Sequence, residues 1–184
     1  MNIIYNILLS IIVLIITIYL TVGCNGKIKK RPIWPCINNK REIYYNKVNG
    51  RQTSMLLLDP YSMSHVTHGL LLYNLFYYLN NKKHSDSIFI KVLVSEIIWE
   101  IIENTDYVVN LYRKHDENSR YYNGDSIINS IGDIFSCMIG SFIAYKFPNC
   151  SIYLALLNEI TMYMLFKSSL IIDFTSALGI KLIN

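Results

Sequence analysis

Charge is scarce in this chain. Asp, Glu, Lys and Arg make up 16% of its 184 residues, against about 25% in soluble domains. Proline occurs four times and glycine eight, and there is no internal repeat and no low-complexity stretch. The apolar residues do not alternate with period two, which excludes a β-barrel. Cysteine is limited to Cys24, Cys36, Cys137 and Cys150. They form no CxxC pair and no metal-ligand spacing, so a disulfide framework is not expected and all four are read as free or buried thiols. No basic stripe interleaved with aromatics is present, so a nucleic-acid partner is not expected. The net charge of +4 reports topology and contact with anionic lipid instead.

What the chain does have is long apolar runs, 52% of it being hydrophobic. Ile3 to Val22 carries no charge, and a helix of that length rises about 30 Å, enough to cross a bilayer core. Without a basic n-region, and longer than a signal-peptide core, it reads as an uncleaved anchor. Thr21-Val22-Gly23-Cys24 resembles a lipoprotein cleavage box only loosely. Residues 1–24 are thus an N-terminal transmembrane anchor, 25–59 a polar basic loop, 60–173 a four-span helical membrane domain and 174–184 a short tail. The spans run Pro60–Asn81, Ile88–Asn104, Ser126–Phe147 and Ser151–Ile172. The third carries Lys91, Glu96, Glu100 and Glu103, the fourth Asp133, and the fifth Glu159 and Lys167. The fold class is all-α, a transmembrane bundle of about five spans. Lys and Arg concentrate in the loops after spans one and three, which favours an outside N-terminus and an inside C-terminus.

The polar residues inside these runs are ordered. His65 and His68 share one helix face, Glu96, Glu100 and Glu103 a second, and Asp125, Asn129 and Asp133 a third. In a five-span arrangement the start of span two, the end of span three and the start of span four lie on one membrane side. The three faces therefore converge. Ionisable groups in spans are expensive and turn towards a bundle interior or wet cavity. His with carboxylates suits a divalent metal such as zinc, manganese or iron, and clustered carboxylates also suit proton handling. Gly132, Ser136 and Gly140 form a small-residue seam for close helix packing.

Several ordered blocks resemble the integral-membrane family of domain of unknown function 2585, known mainly from alphaproteobacteria. They are Asp59-Pro60-Tyr61-Ser62, His65, His68-Gly69, Tyr73, Glu96, Trp99-Glu100, Glu103-Asn104, Tyr112-Arg113, Tyr122, Gly124-Asp125-Ser126, Asn129-Ser130 and Asp133. Arg31-Pro32 and Cys36 fit its upstream loop. The resemblance covers about residues 31 to 160 and implies a multi-pass inner-membrane protein with no assigned activity. The chain departs from the family pattern around Lys167-Ser168-Ser169. Its AT-rich composition fits a divergent bacterium or a large DNA virus, hence a bacterial inner membrane or a host or virion membrane. A fainter similarity, in Glu96, Arg113, Asp125, Asn129 and Gly132, is to VanZ-like envelope proteins.

The leading expectation is a polar pocket at one membrane face that binds a divalent metal and acts on a lipid-linked or envelope substrate. His65, His68, Glu100 and Asp133 are the candidate metal ligands, with Asp125 as an alternative. Glu103 is the candidate general base and Arg113 the anion clamp. Asn129 completes the candidate catalytic set of Glu100, Glu103, Arg113 and Asp125. Whether the chain is an enzyme is left open. The rivals are a non-catalytic structural or assembly protein, in which the polar faces serve packing, and a small proton-coupled transporter.

Overall fold

A computed structural model describes residues 2–28, 30–37 and 40–180. Seven helices follow one another: α1 (Asn2–Thr21), α2 (Ser62–Leu79), α3 (Asp86–Glu103), α4 (Asp106–His115), α5 (Ile127–Lys146), α6 (Ser151–Phe166) and α7 (Leu170–Ala177). A two-strand antiparallel hairpin, β1 (Lys27–Ile28) and β2 (Arg31–Pro32), lies between α1 and α2. The helix starts are written locally. Ser85, Thr105, Ser126 and Ser169 each cap a helix by accepting a hydrogen bond from a backbone N–H in its first turn, which satisfies a donor the helix leaves open.

The bundle is built around α2 and α5, which cross at glycine. A Cβ on Gly69 would lie 1.9 Å from the Cys137 carbonyl oxygen, and one on Gly140 would lie 2.1 Å from that of Val66. The small-residue seam brings the two backbones together. Polar side chains hold α6 alongside: Asn158 Nδ2 donates to Met63 O and Thr67 Oγ1, and Asn74 Nδ2 to Ser151 Oγ. At the end distant from the hairpin, Ile4, Leu70, Tyr73, Phe89 and Met138 form the apolar core.

Among the described residues, two helices are long and apolar enough to cross a membrane, Ile3–Thr21 and Ile127–Lys146. The α6–α7 pair would make a third, but it is bent by 79°. That is fewer than the five spans the apolar runs imply. The reason is visible in α2 and α3, whose inward faces carry His65, Asn74, Glu96 and Glu100, all buried. Averaged hydropathy counts those groups against the helix. The outward face of α3 is apolar, with Ile90, Val94, Ile98, Ile101 and Ile102 exposed.

The expectation of four unpaired thiols is corrected, and two further features emerge. Cys24 and Cys36 are joined in a disulfide, with Cα atoms 5.1 Å apart, so only Cys137 and Cys150 are free. The β-hairpin between them brings the pair together, a folded element that spacing alone does not reveal. Residues 25–59 are more than a polar loop, since Trp34 and Leu56 are fully buried. Arg31 reaches over to α5, donating from Nε to Asp125 O at 2.7 Å and from Nη2 to Ser130 Oγ at 2.7 Å. Finally, the fifth apolar run is broken at Lys167, which adopts a left-handed conformation (φ 55°). Helix α7 then turns back and crosses the expected boundary at residue 173.

Candidate functional site

Helix spacing sets the site. On α2, His65 and His68 are one turn apart and face α3. On α3, Glu96 is fully buried between them: its Oε1 lies 2.5 Å from His65 Nδ1 and its Oε2 2.5 Å from His68 Nδ1. The second approach lacks hydrogen-bond alignment. One turn on, Glu100 Oε1 lies 3.8 Å from His65 Nδ1. From α5, Asp133 Oδ2 lies 4.0 Å from His65 Nε2, while its Oδ1 accepts a hydrogen bond from Ser62 Oγ at 2.9 Å.

Two sets of potential ligand atoms result, His65–His68–Glu96 and His65–Glu100–Asp133, each within 4.8 Å of one another. Both carboxylate oxygens of Glu100 are buried without a hydrogen-bond partner. A carboxylate in that position is costly unless a cation faces it.

Beside this cluster lies a cavity of about 40 Å³, space for a few waters or a small ion with its waters. His65, Glu103, Asp125, Asp133 and Asp173 line it together with Tyr61, Trp99, Tyr112 and Tyr122. Among the described residues, no Lys or Arg lines it.

The candidates read from sequence fall into two groups. His65, Glu100 and Asp133 come together as one potential ligand set, His68 falls in the other with His65 and Glu96, and Glu103 lines the cavity with its Oε2 buried and unpartnered. Asp125 lines the cavity with its carboxylate already held by neighbours, and Asn129 and Arg113 are engaged elsewhere. Asp125 accepts from Tyr122 Oη at 3.0 Å and from Asn104 Nδ2 at 2.6 Å. Asn129 donates from Nδ2 to Leu56 O at 2.9 Å. Arg113 is exposed, donates to Asn110 and Asn123, and does not reach the cavity.

The sequence reading missed Asp173, which lay beyond the expected fifth span. Nothing local signals it, because α7 must turn back to bring it in. It also gave no site role to Glu96, the most deeply held member. The i, i+4 spacing to Glu100 and i+7 spacing to Glu103 was the available signal.

At the loop side of the site, burial dominates the acids. Asp59 is pushed up to about 6 by desolvation, and the negative charge of Asp125 adds to the rise; the Ser54 and Tyr61 amides, donating to its carboxylate, oppose it. Burial likewise raises Asp125, against the hydrogen bond from Asn104 and the charge of Arg31.

Residues 27–178 match the model of a family described as "Protein of unknown function (DUF2585)". The chain is similar to proteins named UPF0314 from three bacteria. It is 30% identical to that of Brucella anthropi over 66% of this chain and 62% of the relative. For Rhizobium meliloti the figures are 35%, 63% and 58%, and for Paracoccus denitrificans 30%, 66% and 61%. The chain thus spans about three fifths of the length of these curated relatives. No solved structure matches it.

Proposed function

The chain belongs to the DUF2585 family of proteins of unknown function, and from that footing we propose that it is a multi-pass membrane protein that holds a divalent metal ion at the junction of α2, α3 and α5. The observation that carries this reading is Glu100: a buried carboxylate with both oxygens unpartnered, set among His65, Glu96 and Asp133. A divalent cation would satisfy those oxygens and balance the acid excess. Mixed imidazole and carboxylate donors suit zinc, manganese or iron.

In this reading α1, α2, α3, α5 and the bent α6–α7 pair make five crossings of a bacterial inner membrane. Support comes from the inverted surface, apolar outward and ionisable inward, as with Ile98 and Ile101 exposed against Glu96 and Glu100 buried on the same helix. Lipid is a poor solvent for charge, so that arrangement is the one a bilayer favours. His65, Glu100 and Asp133 are the first ligands, with Glu96 holding both imidazoles in orientation. The metal would polarise or ionise a bound water, and Glu103, in the same cavity, is placed to manage its proton. A lipid-linked or envelope substrate is the class such a site can meet.

The test is elemental analysis of detergent-purified protein. Near-stoichiometric zinc, manganese or iron in the wild type, lost in Glu100→Ala and His65→Ala but kept in Arg113→Ala, is the expected result. Wild-type protein free of transition metal after purification without chelators, and still free of it after incubation with each ion, overturns the reading. That outcome, with folding unaffected in the ligand variants, would favour the structural role instead.

A further inference from the structure

We propose that the cavity binds a primary ammonium group between Glu103 and Asp173, so that the molecule this site handles bears an amine. The inference rests on the metal reading above, because it concerns the charge that remains once the inner carboxylates are met. Glu103 on α3 and Asp173 on α7 both line the cavity, and among the described residues no Lys or Arg does. A cation is the ligand such a wall favours.

Three observations narrow it. The first is the aromatic wall of Tyr61, Trp99, Tyr112 and Tyr122. Aromatic faces attract organic cations through the ring quadrupole, whereas a small hard metal ion prefers oxygen ligands and its own waters. The second is the acceptor inventory. Tyr112 is 4% exposed, and its buried hydroxyl lies beside the Glu103 carboxyl without a well-aligned hydrogen bond. Glu103 Oε2 is likewise unpartnered. Asp173 Oδ1 accepts from Ser168 Oγ at 2.9 Å, and as a carboxylate it keeps further acceptor capacity. An ammonium has three donors and no acceptor, and these three residues supply three acceptors. The third is size. About 40 Å³ admits a few small heavy atoms, a better match to an ammonium and its adjoining methylene than to a trimethylammonium.

The source of the amine is written in the surroundings. The cavity is closed on one side by α7, which contacts α3 through Phe174 and Trp99, their ring centroids 5.8 Å apart. The faces flanking that contact are apolar and exposed, with Ile98 and Ile102 on α3 and Ile171 on α7. A headgroup amine can approach from the lipid between them. A soluble amine shares the chemistry, and the experiment separates the two.

The full-length protein in a neutral detergent is loaded with lipid, and its thermal midpoint is followed, since a ligand that binds only the folded state raises it. Phosphatidylethanolamine should raise the midpoint, whereas phosphatidylcholine and phosphatidylglycerol at equal mole fraction should not. Ethylammonium chloride is the soluble arm: a shift with it alone places the source in solution, and a shift only with phosphatidylethanolamine places it in the membrane. Tyr112→Phe keeps the ring and removes the acceptor, and Asp173→Asn keeps the shape and removes the charge. Each should weaken the response ~10-fold, as expected for a hydrogen bond to a charged group.

Metal content is measured on the same samples. Both variants should keep their metal, which separates this assignment from the metal reading. Equal shifts from phosphatidylcholine and phosphatidylethanolamine overturn the proposal, as does no shift from any amine. Loss of one of two bound metal ions in Asp173→Asn also overturns it, since Asp173 would then hold a second metal ion.

Discussion

Asn104 and Asp125 clasp each other. The Asn104 amide donates from Nδ2 to Asp125 Oδ2 at 2.6 Å, and the Asp125 backbone N–H donates to Asn104 Oδ1 at 2.7 Å. The pair ties the C-terminal cap of α3 to the approach to α5, and so fixes Glu100 and Glu103 relative to Asp133. Asp125 is on this account a positioning residue. Replacing Asn104 with Ala breaks both bonds and leaves a buried carboxylate oxygen with one partner fewer. The expected cost is about 2 to 4 kcal/mol of unfolding free energy, read as a lowered thermal midpoint, with metal affinity falling as well. An Asn104→Ala protein as stable as the wild type would show that α3 and α5 are held together by other means.

The crossing of α2 over α5 makes a sharper prediction. A methyl at Gly69 meets the backbone carbonyl of Cys137, not a side chain that could swing away. Gly69→Ala should therefore force the helices apart and cost about 3 kcal/mol or more. Gly23, by contrast, has nothing within 4 Å of the place a Cβ would take, so Gly23→Ala should be neutral. Expression level and thermal midpoint of the two variants, side by side, check the contrast.

Asp59 sets a pH dependence. Its ordinary value of 3.8 is pushed up to about 6, chiefly by burial. The folded protein thus holds the proton more tightly than the unfolded chain. That contribution is fully present below pH 3.8 and is lost as the pH rises through about 6, where both states are ionised. The gap corresponds to about 3 kcal/mol. Asp59→Asn removes the titration, so the stability margin of the native protein over that variant should shrink by up to this amount between pH 4 and pH 7. Denaturant unfolding at a series of pH values measures it. A margin that does not change with pH would show that Asp59 stays ionised in the fold.

Much of this site was legible in the sequence because helical spacing is short-range. The one-turn step from His65 to His68 and the face shared by Glu96, Glu100 and Glu103 follow from 3.6 residues per turn. Knowing that three such faces occur in apolar runs was enough to expect convergence at His65 and Asp133. The start of α5 was legible too, since Ser126 caps it, whereas α4, capped by Thr105, falls in a stretch that reads as a polar loop. What was not legible depends on partners distant in sequence. Asp173 enters the cavity only because Lys167 takes a left-handed turn, which no residue type there demands. The occupied state of Asp125 depends on Asn104, and Arg113 turns to Asn110 and Asn123, because loop path decides those pairs. The Cys24–Cys36 bridge needs the hairpin at Arg31.

That bridge bears on orientation, where two physical arguments oppose each other. In the proposed five-span arrangement, the basic residues of loops one and three favour a cytoplasmic site face. Disulfides, however, form and persist in oxidising compartments. The loop that carries the bridge also carries Arg31, bonded to Ser130 at the start of α5, so bridge and site share a side. At 40 residues, from the end of α1 at Thr21 to the start of α2 at Ser62, this loop is short enough for the positive-inside bias to count, but a persistent bridge requires an oxidising compartment whatever the charge. The expected orientation therefore follows the disulfide: site face outward, N-terminus inward. Cys150 is free, exposed and just beyond the far end of α5, and it provides the internal control. In intact cells, a membrane-impermeant maleimide should leave Cys150 unlabelled until the membrane is permeabilised. After mild reduction, Cys24 and Cys36 should react without permeabilisation. Labelling of Cys150 in sealed cells, with Cys24 and Cys36 protected and already reduced, would restore the orientation that the charges favour and place the metal site on the cytoplasmic face.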